Sequence, residues 1–188
     1  SYIGLEFGQM FSRLGSKVTI IEQGESIIAR EDEETSKTIQ HMLEEEGVDF
    51  WLGAECVAAK KNGLDGIVAQ IQCSREGAVD IKGSHLLLAV GRRPNTTKLQ
   101  LEKTGVRTDD KGYIEVNDRL ETNVKGIFAL GDCNGKGAFT HTAYNDYEII
   151  AENKFEGKDR KVSDRITTYG LYVDPPLGRV GITEKEAR

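Results

Sequence analysis

The spacing of apolar positions changes along the chain, and each spacing predicts a different element. Leu5, Phe7, Met10, Phe11 and Leu14 fall near the helical period, and Gly15 supplies a stop. Lys17 to Ile21 is a β-branched run and predicts a buried strand, broken by Glu22-Gln23-Gly24. Asp32 is placed to cap a second helix running to about Glu46, with Ile39, Met42 and Leu43 as its apolar stripe and Gly47 as its end. Val48 to Leu52 predicts a further short strand. With a strand expected before Ser1, this alternation argues for a parallel sheet.

The period then shortens. Glu55 to Lys61, Ile67 to Cys73 and Ala78 to Ser84 are strand-like segments separated by Asn62-Gly63 and Arg75-Glu76-Gly77, which predicts a three-stranded antiparallel meander. His85 to Val90 is apolar and is expected to return to the parallel sheet, ending at Gly91-Arg92-Arg93-Pro94-Asn95. Short strands are expected at Tyr113 to Val116 and Gly126 to Leu130, a helix from Ala138 to about Phe155, and a strand from Arg165 to Val173. Thr183-Glu184-Lys185-Glu186 has the pattern of a capping box, so a helix should begin near Glu184. The boundaries fall around Arg92 to Thr97 and near Asp164. The abrupt opening at Ser1 and ending at Arg188 read as cuts through elements, so the chain is expected to be an internal fragment.

Composition narrows the function classes. The 188 residues carry a net charge of −6 with 30% charged residues, and Lys and Arg are scattered, which argues against nucleic acid as a partner. No apolar stretch approaches the roughly 18–20 residues of a membrane span. Cys56, Cys73 and Cys133 form neither a disulfide framework nor a closely spaced dithiol. Three unclustered cysteines fit a reducing compartment, so a cytoplasmic location is expected. His41, His85 and His141 lack metal-ligand spacing.

Two constellations carry chemistry. Gly4 stands where the third glycine of a dinucleotide-binding turn would stand, with Ser1 at the second. There the backbone approaches a pyrophosphate and the following helix packs closely on its strand. Glu22, 18 residues after Gly4, ends the second strand where an acid would accept from ribose hydroxyls. A carboxylate there repels a 2′-phosphate, and Gln23, Gly24 and Glu25 offer no cation to receive one, so NAD(H) is predicted over NADP(H). Taken alone, half a motif is balanced by a packing glycine and a solvated acid. Glu6, one turn into the helix, is either a first-turn acid favoured by the helix dipole or a carboxylate beside a nicotinamide. The second constellation is Gly131-Asp132 after an apolar strand. Glycine permits close approach and aspartate accepts from sugar-like hydroxyls, though Asp-Cys-Asn-Gly is also an ordinary turn sequence. Cys133 reads as a small buried thiol, and His141 lies where a ligand contact is plausible.

Taken together and in order, Ser1-Tyr2-Ile3-Gly4-Leu5-Glu6-Phe7, Val18-Thr19-Ile20-Ile21-Glu22, Gly91-Arg92-Arg93-Pro94-Asn95 and Gly126-Ile127-Phe128-Ala129-Leu130-Gly131-Asp132 resemble the flavoprotein pyridine nucleotide-disulfide oxidoreductases. The stretch Pro175 to Glu184 is similar to the start of that family's dimerisation domain. The resemblance implies an α/β fold: residues 1–92 as a Rossmann-like NAD-binding domain with its meander, 93–164 as the second half of an FAD domain, and 165–188 as the start of an interface domain.

It further implies that Ser1, Tyr2, Ile3 and Gly4 line the NAD pyrophosphate, that Glu22 takes the ribose, and that Glu6 approaches nicotinamide and flavin as the catalytic-site carboxylate. Val90 and Gly91 would pass close to the nucleotide. Gly131 and Asp132 would hold the FAD ribityl and phosphate region, with Phe139, Thr140 and His141 at a flavin-facing helix start. The parent would be an NADH-using homodimer passing hydride to FAD and on to a disulfide, metal ion or similar small acceptor. Its redox cysteines would precede Ser1 and its active-site histidine would follow Arg188, so the fragment alone is expected to be inactive. The segment Phe139 to Tyr147 resembles a branch near the mercuric and reactive-chlorine-resistance flavoproteins, whereas Glu22 argues against a mercuric reductase, since NADPH users of the family usually carry a basic residue in this region. An NADH oxidase or peroxidase of the same architecture, or a non-catalytic dinucleotide-binding redox sensor, are the alternatives.

Overall fold

The computed structural model describes every residue except 64, 65 and 75. Its elements in chain order are α1 (Tyr2–Arg13), β1 (Thr19–Ile21), α2 (Glu33–Glu45), β2 (Asp49–Trp51), β3 (Ala54–Asn62), β4 (Gly66–Cys73), β5 (Gly77–Gly83), α3 (Thr140–Phe155), β6 (Thr168–Leu171), β7 (Leu177–Val180) and α4 (Glu184–Ala187). Short 3₁₀ turns occupy Leu101–Lys103, Gly131–Asn134 and Val162–Asp164. The chain divides into two compact units, Ser1–Gly91 with Gly170–Arg188, and Arg92–Tyr169.

The first unit is mixed α/β. Ser1 caps α1, its Oγ accepting from Gly4 N at 3.3 Å. β1 and β2 pair in parallel, with Ile20 opposite Phe50. Beside them β3, β4 and β5 form the antiparallel meander expected from the alternation, with a register shift between Cys56 and Ala58. Arg75, part of the expected second break of that meander, lies outside the described residues. The core joins Leu5, Ile27, Ile28, Ile39, Leu43, Val48, Leu171 and Val173. Removing these apolar surfaces from water is the main force holding the unit together. The α4 capping box is present: Thr183 Oγ1 accepts from Glu186 N, and Thr183 N donates to Glu186 Oε2 at 2.8 Å. Those amide and hydroxyl donors hold the Glu186 carboxyl below its ordinary pKa.

Three expectations are corrected in this unit. His85 to Val90 joins no ladder, and Leu87, Leu88 and Val90 are exposed. An apolar run becomes a strand only where a neighbouring edge accepts its backbone bonds, and the described residues offer it none. Asp32 does not cap its own helix; its carboxylate accepts from Glu184 N and Lys185 N, both at 3.1 Å, and so caps α4 instead. The strand expected over Arg165 to Val173 shrinks to β6, whose last two residues lie in this unit and which pairs with β7.

The second unit is mostly irregular. The strands expected at Tyr113 to Val116 and Gly126 to Leu130 are reduced to single bridges, Thr108 to Ile114 and Glu121 to Phe128. Their backbone donors go to loop carbonyls instead: Ile114 N to Cys133 O at 2.8 Å, and Ala129 N to Leu120 O at 3.1 Å. Side chains close the turns. Asp109 Oδ1 accepts from Lys111 N and Tyr113 N, and Asn117 Oδ1 accepts from Arg119 N and Glu121 N. α3 begins at Thr140, two residues later than expected, because Thr142 Oγ1 accepts from Phe139 N and fixes the helix start there.

Candidate functional sites

In the first unit the helix start and the acid lie side by side. The terminal amino group of Ser1 is 3.4 Å from Glu22 Oε2. The other oxygen, Oε1, accepts from Gly24 N at 3.1 Å, and the Glu22 backbone is pinned by Glu22 N to Trp51 O and Ala54 N to Glu22 O. A strand end braced on both sides holds this carboxylate beside the first turn of α1. Backbone N–H groups in such a turn point beyond the reach of any carbonyl of their own helix and favour an anion.

The close approach of helix to strand occurs one turn later than expected. A Cβ at Gly4 would make ordinary contacts, 3.5 Å from both Ala89 Cβ and Ser1 Oγ. A Cβ at Gly8 would lie 2.9 Å from Ile20 Cδ1, so Gly8 is the residue that lets α1 pack on β1. Gly4 nevertheless brings the segment ending in Val90 and Gly91 alongside the helix start through Ala89. Val90 is exposed, and Gly91 has φ +117, a left-handed conformation that favours glycine. Ile3 is exposed.

Two side chains on α1 have partners the sequence did not signal. Tyr2 Oη donates to Glu31 Oε1 at 2.5 Å, and the buried Glu31 also accepts from Arg179 Nη1 at 2.7 Å. Glu6 Oε1 accepts from Tyr172 N at 2.8 Å, which fixes the orientation of its carboxylate. Partners 29 to 166 residues away leave no trace in local spacing.

In the second unit Gly131, at φ +75, opens a single 3₁₀ turn. Its N–H donates to Asp146 Oδ2 at 2.9 Å, and the same oxygen accepts from Asn134 Nδ2 at 2.8 Å. Asp146 is 2% exposed and its other oxygen pairs with Arg165 Nη2. One buried carboxylate therefore gathers a backbone amide, a side-chain amide and a guanidinium, and sets the Gly131-Asp132 turn. Asp132 projects outward and pairs with Arg92 Nη2 at 2.9 Å. At the helix start the Phe139 ring stacks on His141 (centroids 5.4 Å) and on Tyr169 (5.7 Å). His141 Nε2 lies 2.7 Å from Thr168 O, which makes it the protonated nitrogen, and Thr140 opens the helix. No local pattern marks Asp146, Asn134 or Arg165 as a site residue, and Arg92 stands out only within the Gly91–Asn95 motif. An aspartate in mid-helix is a poor helix former and was the one available signal.

Burial, more than any other cause, pushes the Cys133 thiol up, and its Sγ donates to Leu130 O at 3.3 Å. This is the environment of a packing thiol, not of a nucleophile. Among the described residues no group of three His, Cys, Asp or Glu could hold a metal ion, and no helix is long and apolar enough to cross a membrane.

A family model described as pyridine nucleotide-disulphide oxidoreductase matches residues 1–146. The chain belongs to this family. It is 37% identical to a dihydrolipoyl dehydrogenase of Thermus scotoductus over 99% of its own length and 40% of that protein's. Identity to the probable pyridine nucleotide-disulfide oxidoreductase RclA of Escherichia coli is also 37%, over 100% of this chain and 41% of RclA. A mercuric reductase of Lysinibacillus sphaericus is 31% identical over 100% of the chain and 34% of that enzyme. The solved structure of RclA, described as an HOCl-induced flavoprotein disulfide reductase, superimposes with TM-score 0.90 at 34% identity, covering 100% of this chain and 42% of that one. The chain thus spans about two fifths of the length of these relatives, and the Rossmann-like α/β class expected from the sequence is the class of this family.

Proposed function

We propose that this chain is the nucleotide-binding part and one half of the flavin-binding part of an FAD-dependent, NADH-using oxidoreductase. Residues 1–92 serve the nucleotide and 93–164 the flavin. Residues 165–188 begin the region through which a cytoplasmic homodimer forms. When bound, FAD supplies a two-electron relay between the nicotinamide and a disulfide, a metal ion or another small acceptor.

The observation that carries the reading is the Glu22 carboxylate, braced by Gly24 N at 3.1 Å and set beside the start of α1. Ser1, Tyr2, Ile3 and Gly4 line the pyrophosphate at the positive end of α1, and Glu22 accepts from the adenosine ribose while repelling a 2′-phosphate. Val90 and Gly91 flank the nucleotide. Glu6, its orientation set by Tyr172 N–H, is the carboxylate at the nicotinamide. In the flavin half, Gly131 at φ +75 holds the turn in a left-handed conformation that favours glycine. Asp132 accepts from ribityl hydroxyls with Arg92 orienting it, and Phe139, Thr140 and His141 present the helix start to the ring. The residues present therefore fit both groups chemically: the positive end of a helix for phosphates, carboxylates for hydroxyls.

Titration of the full-length protein with NADH and NADPH, followed by nicotinamide fluorescence, tests the assignment. NADH should bind more tightly, and Glu22→Arg should narrow or invert the preference. Tighter NADPH binding by the parent protein overturns it.

A further inference from the structure

We propose that the second unit carries a binding site for an oxyanion, a phosphate or carboxylate group, in the cavity bordered by Arg160, Lys161 and Arg165. The cavity has a volume of about 390 Å³ and also touches His141, Asn145 and Asp164. The decisive group is Arg165, whose side chain is 13% exposed. Its Nε donates to Asn145 Oδ1 at 2.8 Å and its Nη2 pairs with Asp146. Its Nη1 is buried and has no acceptor among the described residues. Nearly all buried polar atoms find a partner, because leaving one unpaired forfeits its solvation without return. A guanidinium with two nitrogens fixed and one unspent is a rigid, directed donor of the kind that recognises oxyanions.

Charge in the lining has the matching sign. Of the lining cations, Arg165 is paired with Asp146 through Nη2 and Arg160 with Glu152, and the lining carboxylate Asp164 accepts from Lys161 N at 3.1 Å, which leaves the Lys161 ammonium and Arg165 Nη1 as the uncommitted donors among the described residues. Arg160 Nη1 is engaged by Glu152 at 2.8 Å, whereas Lys161 Nζ has no carboxylate within ion-pair distance among the described residues. Lys161 thus supplies the mobile charge and Arg165 the fixed donor. Because Asp146 also accepts from Gly131 N, the anion site lies two hydrogen-bond steps from the Gly131-Asp132 turn.

The test is isothermal titration of the full-length protein with inorganic phosphate and, separately, with acetate, against chloride at matched ionic strength. The expected result is saturable binding of one anion per chain. That binding should weaken at least tenfold in Lys161→Met and in Arg165→Lys, and a response to phosphate alone or acetate alone assigns the oxyanion class. Lys161→Met decides the matter where Arg165→Lys fails to fold, since the Lys161 side chain has no ion-pair partner to orphan. Two results overturn the proposal: neither anion exceeding chloride, as water filling the cavity would give, or phosphate binding that is indifferent to Lys161, as binding at a nucleotide phosphate site would give.

Discussion

The two units hold the turns proposed to face nucleotide and flavin by different means. In the first, the Ser1–Gly4 turn is carried by a regular helix, α1, whose Leu5 shares a core with Ile39 and Leu43 of α2, and the acid Glu22 ends a paired strand. In the second, the Gly131-Asp132 turn hangs on a single buried carboxylate, Asp146, in a region where side chains close the loops. Apolar packing spreads its load over many residues, so one lost contact is partly made up by relaxation of the rest. A buried ionic hub concentrates the load, and losing one partner leaves the other charged and dry.

That contrast predicts the largest effect at Asp146. Asp146→Ala orphans the Arg165 guanidinium, the Asn134 amide and Gly131 N–H together, and should cost about 3–5 kcal/mol. In the full-length protein, urea unfolding and flavin absorbance should show the loss, with flavin released at lower denaturant than in the parent. Arg165→Met added to Asp146→Ala should recover part of the stability, since the stranded charge is gone. If Asp146→Ala unfolds no more readily than a surface alanine, the hub is not what sets the turn. In the first unit, Leu43→Ala removes a side chain that is 0% exposed and should cost about 2–5 kcal/mol through its cavity. Its effect on flavin content should be smaller than that of Asp146→Ala at equal loss of stability.

Acid should sharpen the comparison next. Arg13 grips Glu46 through two nitrogens, at 2.6 and 2.8 Å, and holds its carboxyl below the ordinary 4.5. A carboxyl with a lowered folded pKa contributes stability that is present above pH 4.5 and lost as pH falls through the folded value. The first unit should therefore weaken below pH 4.5, and Glu46→Gln should flatten that part of the profile in a thermal melt series. The pair is partly exposed, so the change should be a fraction of that at Asp146.

The same contrast explains what could be read along the chain. α1, α2, the β1–β2 pair and the meander follow from local period and glycine stops, because each element's own residues decide its form. His85 to Val90 has the composition of a strand, but strand formation depends on a partner edge and not on composition alone. Tyr113 to Val116 and Gly126 to Leu130 fail for a related reason: nearby side chains capture backbone donors, Asp109 Oδ1 that of Tyr113 and Glu121 Oε1 that of Gly126, while Ala129 N goes to the Leu120 carbonyl. Gly4, Glu22, Gly131 and Asp132 were visible because their chemistry sits at fixed offsets in sequence. Glu31, Arg179, Asp146 and Arg165 were hidden because tertiary pairing brings them together. Asp32 shows both at once, since its type marked a helix cap and only the fold decided which helix it caps.

The smallest predicted effect separates packing from chemistry within one helix. Gly4 and Gly8 are a turn apart on α1, and replacing either by alanine gains helix propensity of up to about 1 kcal/mol. At Gly4 the new methyl meets only ordinary contacts at 3.5 Å, so the gain should survive and Gly4→Ala should be neutral to slightly stabilising. At Gly8 the methyl meets Ile20 Cδ1 at 2.9 Å. That atom is the tip of a side chain and can turn away, but only by disturbing its packing between helix and sheet, so Gly8→Ala should be the less stable of the two by roughly 1 kcal/mol. Melting temperatures of the two variants in the full-length protein decide it. The reverse order would move the close helix–strand contact back to Gly4 and make that glycine a packing residue first and a nucleotide residue second.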